Sequence, residues 1–196
     1  VGTECSFQVL TDGETMLPLP VSQDYKRLYD SNDGPNTGGM GAVSALGLLQ
    51  DDVAENVMKR IMRPVLATLA GRGISYRGAL YAGLMLTSEG PKVLEFNCRL
   101  GDPETQALLP RLKGNLTRIL WQCATNRLTD VQLDAAPDAC VCVVLAAAGY
   151  PEHPVLGDII SGVDEATSLK NVMVFHAGTA LGPDGTLRTA GGRALS

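Results

Sequence analysis

No run of apolar residues in this chain approaches the roughly 20 needed to cross a bilayer. The longest candidate, residues 139–148, is the length of a strand, so no membrane partner is expected. A charged-then-apolar leader is also missing at the start, and no signal peptide is expected. Lysine-rich runs are absent and the formal net charge is −5, whereas a duplex nucleic-acid binder carries a basic surface. The five cysteines (Cys5, Cys98, Cys123, Cys140 and Cys142) are an odd number without C-x-x-C spacing. That pattern fits reduced, buried thiols in a cytoplasmic protein better than a zinc site or a disulfide framework. No Gly-x-Ser-x-Gly elbow or Cys–His pair offers a nucleophile. His153 and His176 stand far apart without a carboxylate pattern and read as structural. Internal repeats and low-complexity tracts are lacking, and so is a start methionine. The chain opens on Val1, is strand-like within a few residues, and closes on residues 191–196 as though another strand were beginning. Both ends read as cut from something longer.

What is present is an ordinary globular composition, 45% hydrophobic and 19% charged over 196 residues, enough for one large domain or one and a half smaller ones. Residues 4–10 alternate strictly, with Cys5, Phe7 and Val9 on one face and Glu4, Ser6 and Gln8 on the other; Asp12-Gly13 then signals a hairpin. Residues 22–42 break every periodicity and read as a long functional loop. Residues 51–71 predict an amphipathic helix with Val53, Val57, Ile61, Val65 and Leu69 on its stripe. Asp51 or Asp52 is its expected cap, Gly71 and Gly73 its end, and Pro64 predicts a kink or break. Residues 78–87 read as a buried strand, 92–98 as its partner, and 115–128 as a helix with Leu116, Ile119, Leu120 and Cys123 inward. Beyond a linker at 130–138, strands are expected at 140–147, 158–161, 172–176 and 186–189, a short helix at 164–169, and a turn at Pro183-Asp184-Gly185.

Three segments carry chemistry. In Val93-Leu94-Glu95-Phe96-Asn97-Cys98-Arg99, strand alternation puts Glu95, Asn97 and Arg99 on one face and sends Leu94 and Phe96 to the core. Two hard oxygen donors two residues apart suit Mg²⁺ shared with substrate phosphates, and Arg99 suits a transferring phosphoryl group. A solvated polar face of an edge strand would show the same spacing. Asp102-Pro103-Glu104 reads as a helix start, with Asp102 as cap and an anion site at its backbone N–H groups; a plain cap explains the same residues. The glycines of Gly34-Pro35-Asn36-Thr37-Gly38-Gly39-Met40-Gly41 expose backbone donors suited to phosphate or carboxylate, although a flexible loop is the simpler reading. It is neither a P-loop nor a dinucleotide fingerprint. Lys26 and Arg27 upstream read as a cationic clamp or as a solvated pair.

Taken in order and spacing, five segments resemble the glycinamide ribonucleotide synthetases. They are Ser22-Gln23-Asp24-Tyr25-Lys26-Arg27, the 34–41 loop, Tyr81-Ala82-Gly83-Leu84-Met85, Glu95-Phe96-Asn97-Cys98-Arg99 and Gly101-Asp102-Pro103-Glu104-Thr105-Gln106. Gly149-Tyr150-Pro151, residues 175–179 and Gly191-Gly192-Arg193 resemble that family's C-terminal domain, so the similarity runs through essentially the whole chain. The resemblance implies an α+β fold. Residues 1–130 would be the C-terminal half of an ATP-grasp domain, mainly antiparallel sheet with flanking helices, and 131–196 a truncated, small β-rich C-terminal domain. It implies a cytoplasmic ligase of purine biosynthesis that joins glycine to 5-phosphoribosylamine through an acyl phosphate, with ATP as co-substrate. Mg²⁺ or Mn²⁺ would sit at Glu95 and Asn97, and Arg99 would act catalytically. Asp24, Lys26, Arg27, Asn36, Thr37, Gly38, Gly39, Asp102 and Glu104 would bind substrate or phosphate. The family's N-terminal domains and ATP lid would precede Val1, so the chain alone is expected to be inactive. Two other readings remain open: an ATP-grasp ligase for another carboxylate, and a non-catalytic module binding a nucleotide or sugar phosphate.

Overall fold

The alternation at the start of the chain becomes β1 (Thr3–Thr11), and the Asp12-Gly13 turn returns it as β2 (Met16–Pro18), pairing Val9 with Pro18 and Thr11 with Met16. These elements come from a computed structural model, which describes residues 2–196. The strands that follow are β3 (Ser22–Asp24), β4 (Arg27–Tyr29), β5 (Asp33–Asn36), β6 (Gly41–Ser44), β7 (Gly78–Thr87), β8 (Gly90–Asn97) and β9 (Cys140–Val143). A seven-stranded sheet runs β8-β7-β1-β3-β6-β9, with β2 attached to β1. Its pairings from β8 to β6 are antiparallel.

One face of this sheet is apolar. Cys5, Phe7 and Val9 of β1 and Leu80, Ala82 and Leu84 of β7 pack with Val57 and Met62 from the helical stretch over 51–71. That stretch stays helical through Pro64, with a π-helical turn just ahead of it. It runs as α1 (Asp51–Val57), a π-helical turn at Met58–Met62, and α2 (Arg63–Gly71). The proline sits at the start of α2, and the widened turn before it accommodates a residue with no N–H to give. The extra residue shifts the helix phase, so the buried positions run Val57, Met62, Leu66 rather than along a single 3.6-residue stripe. Gln50, not an aspartate, occupies the N-cap without a side-chain bond; Asp51 and Asp52 lie in the first turn, where the helix dipole favours negative charge. Gly73 N–H to Ala70 (2.9 Å) and Ile74 N–H to Leu69 (3.0 Å) close the C-terminal end.

A second cluster joins Leu10, Leu17 and Leu19 to Leu108, Ile119, Cys123 and Leu128. Its helices are α3 (Glu104–Leu108) and α4 (Leu116–Ala124), the latter capped by Asn115, whose side chain accepts from Arg118 N at 2.9 Å. Leu120 is 44% exposed rather than inward, and α4 stops at Ala124. The segment read as a linker is tied down by buried Arg111, which donates to Ala136 O (3.0 Å), Asp138 O (2.9 Å) and Ser44 Oγ (2.8 Å).

Residues 2–24 with Ala42–Val141 make one compact unit, and Tyr25–Gly41 with Cys142–Ser196 make a second. The stretch read as a long loop is therefore structured. β4 and β5 form a hairpin pairing Arg27 with Asn36 and Tyr29 with Asp33, turned by Ser31 and Asn32 at φ 58° and 60°. The second unit also holds β10 (Leu145–Ala146) on β13 (Arg193–Leu195), β11 (Thr179–Leu181) on β12 (Leu187–Thr189), and α5 (Val163–Ser168). The strands expected at 158–161 and 172–176 are reduced to single bridges, Ile159 to Arg188 and His176 to Leu195, because each meets a partner at one residue only. The result is an α+β fold of mainly antiparallel sheet with flanking helices, together with a small β-rich unit.

Candidate active site

Residues paired directly across antiparallel strands share a face, so the registers assemble a polar row on the side of the sheet opposite Phe7. Glu95 of β8 faces Gly83 of β7, Gly83 faces Ser6 of β1, Ser6 faces Ser22 of β3, and Ser22 faces Ser44 of β6. A second row runs Asn97, Tyr81, Gln8. Glu95 and Asn97 thus lie at the edge of a polar face five strands wide.

Asn97 Nδ2 donates to Glu95 Oε1 at 3.2 Å; Glu95 is exposed and Asn97 half-buried. A carboxylate and an amide this close can offer two oxygens to one hard divalent cation once the amide turns its oxygen, in place of the nitrogen, toward the shared position; phosphate oxygens and water take the rest. Among the described residues no group of three His, Cys, Asp or Glu could hold a metal, so any such cation would depend on ligands from outside this pair. Gly83 makes room for Glu95: a Cβ there would stand 3.1 Å from Glu95 Cγ and 3.4 Å from Tyr81 Cε1. Arg99 is exposed and donates through Nη1 to Leu100 O at 2.9 Å. Leu94 and Phe96 do not enter the core. They are 51% and 43% exposed because β8 is an edge strand, and Phe96 lines a shallow groove with Ile61, Pro64, Val65 and Leu69.

The segment after β8 folds back over the polar face. Gly101 N donates to Gln8 Oε1 at 2.9 Å. Glu104, 1% exposed, accepts from Ser6 Oγ at 2.8 Å, and Ser6 Oγ lies 3.0 Å from Tyr81 Oη. Burial, followed by the negative charge of Glu104, raises the Tyr81 phenol above its ordinary pKa, so it stays protonated. The helix start differs from the sequence expectation. Pro103, joined to Asp102 by a cis peptide bond, holds the N-cap position. Asp102 is exposed, and its Oδ1 accepts from Gln106 Nε2 at 3.0 Å instead of capping. α3 has five residues, and the N–H groups of Thr105 and Gln106 are engaged by Gly101 O and Pro103 O. Asp24 is buried on β3.

The remaining candidate residues belong to the second unit. Arg27 Nη1 donates to Gly34 O at 2.8 Å. The main-chain donors of the glycine-rich loop are engaged internally: Thr37 N by Lys26 O (2.8 Å), Gly38 N by Tyr150 Oη (2.9 Å), Gly39 N by Thr37 Oγ1 (3.0 Å) and Met40 N by Tyr25 O (2.8 Å). The loop therefore does not present the open nest of amides that its glycines predicted. Its exposed residues are Pro35, Asn36 and Gly38. Gly83, Ser6 and Tyr81 were missed as site-forming residues. The signal available was a glycine inside an apolar strand, which marks close approach.

Two family profiles match: "Phosphoribosylglycinamide synthetase, ATP-grasp (A) domain" over residues 1–105 and "Phosphoribosylglycinamide synthetase, C domain" over residues 140–196. A phosphoribosylamine–glycine ligase of Xylella fastidiosa is 46% identical over 195 residues, which is 99% of this chain and 45% of that protein. One from Escherichia coli O157:H7 is 45% identical over the same shares. The crystal structure of phosphoribosylamine–glycine ligase from Thermotoga maritima superposes with a TM-score of 0.86 at 34% identity, covering 100% of this chain and 47% of that one. The chain thus spans less than half the length of these relatives. On the profile match over its first 105 residues, it belongs to the phosphoribosylglycinamide synthetase family.

Proposed function

We propose that the protein containing this chain ligates glycine to 5-phosphoribosylamine, with ATP converted to ADP and phosphate, and that Glu95, Asn97 and Arg99 form the phosphoryl-transfer part of its site. The observation that carries the reading is the side-by-side placement of Glu95 and Asn97 on an exposed polar edge of the sheet, in a chain of this family.

In the first step a glycine carboxylate oxygen bonds to the γ-phosphorus of ATP, the bond to the β-phosphate oxygen breaks, and ADP leaves. In the second, the sugar amine attacks the carbonyl carbon of the glycyl phosphate, expels phosphate and loses a proton. Such chemistry requires positioning and charge neutralisation more than a nucleophilic side chain. Arg99 brings a permanent positive charge to the transferring group. Mg²⁺ or Mn²⁺ held by Glu95 and Asn97 would supply neutralisation of the phosphate oxygens. Lys26, Arg27, Asn36, Thr37, Gly38 and Gly39 serve the substrate side, through side chains and loop carbonyls rather than amides. Asp24 and Asp102 complete the polar surroundings. Glu104, buried on Ser6, orders the polar face from the segment folded over it. The substrates are small and water-soluble, which suits a cytoplasmic enzyme.

The test restores the preceding half from a relative and follows ADP release with glycine and phosphoribosylamine, comparing wild type with Glu95→Ala. The expected outcome is glycine-dependent turnover that falls by roughly 10²-fold or more in the variant, and none from the 196-residue chain alone. Turnover indifferent to Glu95→Ala would remove the metal assignment. Activity only with another carboxylate would leave an ATP-grasp ligase of different substrate.

A further inference from the structure

The glycine-rich loop is held by two side chains that neither the metal pair nor the phosphoryl chemistry uses. Gly38 N donates to Tyr150 Oη at 2.9 Å, and Arg193 Nη1 donates to Gly38 O at 2.7 Å. Both main-chain polar groups of one loop residue are thus captured from segments 112 and 155 positions further along the chain. The fit is close. A Cβ on Gly38 would lie 3.2 Å from Tyr150 Oη and from Arg193 Cζ and Nε, and a Cβ on Gly192 would overlap the Tyr150 ring at 2.4 Å. On the other side the loop is secured to the main chain of Tyr25 and Lys26 and, through Met40 O, to Val144 N at 2.9 Å. Gly39, at φ +108°, adopts a backbone conformation that L side chains rarely take. Held in this way, the loop cannot change shape without releasing Gly38.

We propose that Tyr150 and Arg193 are positioning residues for substrate binding, clamping Gly38 so that the 36–41 loop is preformed to receive glycine or the sugar amine. The inference rests on the ligase reading for its substrate but not for the clamp. Preforming a loop lowers the ordering cost that binding would otherwise carry. Loss of the clamp therefore raises KM for the substrate seated on the loop and leaves KM for ATP unchanged.

Two measurements test it. Amide hydrogen exchange on the 196-residue chain is compared among wild type, Tyr150→Phe, Arg193→Lys and Gly38→Ala. The Gly38 amide, protected in wild type, should exchange about tenfold faster in Tyr150→Phe, as expected for loss of one hydrogen bond, with β1 amides unchanged as the folding control. Gly38→Ala tests the same contacts from the loop side should the Tyr150 variant fold poorly, and should also speed exchange across 37–40. In the full-length ligase, Tyr150→Phe should raise KM for glycine or phosphoribosylamine about tenfold with KM for ATP unchanged, and Arg193→Lys, which retains one donor, should give a smaller rise. Unchanged exchange at residues 37–40 in both Tyr150→Phe and Gly38→Ala overturns the clamp. Faster exchange with no change in either KM overturns its role in binding. A wild-type enzyme inert toward glycine removes the ligase reading, while the exchange data still decide whether the clamp exists.

Discussion

Single residues in this chain act through the polar groups they hold rather than through charge alone. Asp12, at the β1–β2 turn, is the clearest case. Its Oδ1 accepts from Glu14 N (3.1 Å) and Thr15 N (2.8 Å), and its Oδ2 from Leu128 N (2.9 Å), joining the hairpin to the segment after α4. Burial works against its charge, but the N–H groups of Leu128, Thr15 and Glu14 outweigh it and hold the carboxyl below the ordinary range. A depressed folded-state pKa means that the unfolded chain takes up the proton first. The stabilisation is complete above the unfolded value of about 3.9 and is lost as pH falls through the folded value. Asp12→Ala is expected to cost about 2 kcal/mol at pH 7, since it leaves the buried Leu128 N–H and two part-buried turn donors without their acceptor. The gap from wild type should narrow below pH 3, as urea midpoints at the two pH values would reveal; an equal gap at both would show that the carboxylate charge is not what matters.

Among the elements, the helical stretch over 51–71 shows how a sequence pattern can be read correctly in kind and wrongly in phase. Its apolar residues and terminal glycines were legible, but the π-helical turn ahead of Pro64 moved burial to Met62 and Leu66, off the stripe. Met62→Ala is expected to cost about 3 kcal/mol, and Val53→Ala less than about 1 kcal/mol. Thermal or urea unfolding of the two variants checks the phase, and equal losses would restore the simple stripe. The strands β1 and β8 were legible from local alternation, and β7 from its unbroken apolar run. So was the Glu95–Asn97 pair, which needs only the period of a strand. The fixed glycine loop at 37–41 was not, because groups that hold it (Tyr150, Arg193 and Val144) lie more than a hundred residues away. The exposure of Leu94 and Phe96 was hidden for a related reason: position at a sheet edge is a property of topology, not of the strand's own residues. Asp102 looked like a helix cap until the short α3 engaged its donors elsewhere.

Over the whole molecule, the thiols report how far the fold is closed. Cys98 is exposed, whereas Cys5, Cys123 and Cys142 are buried. Burial pushes the Cys5 thiol up to about 11 and raises Cys123 and Cys140 as well. Since the thiolate is the reactive form, a disulfide reagent at pH 8 should find one fast thiol in the native chain and the rest only on unfolding. Two or more fast thiols would mean that the packing around the buried cysteines opens more readily than their burial implies. The interleaving of the two units has a further consequence for synthesis. Tyr25–Gly41 leaves the ribosome long before Cys142–Ser196, yet belongs to the same unit. During translation the nascent hairpin waits with its glycine loop unanchored while the first unit's strands β1, β3, β6, β7 and β8 are synthesised. It takes its final form only when the ribosome has delivered Tyr150 and Arg193, more than a hundred residues after Gly38.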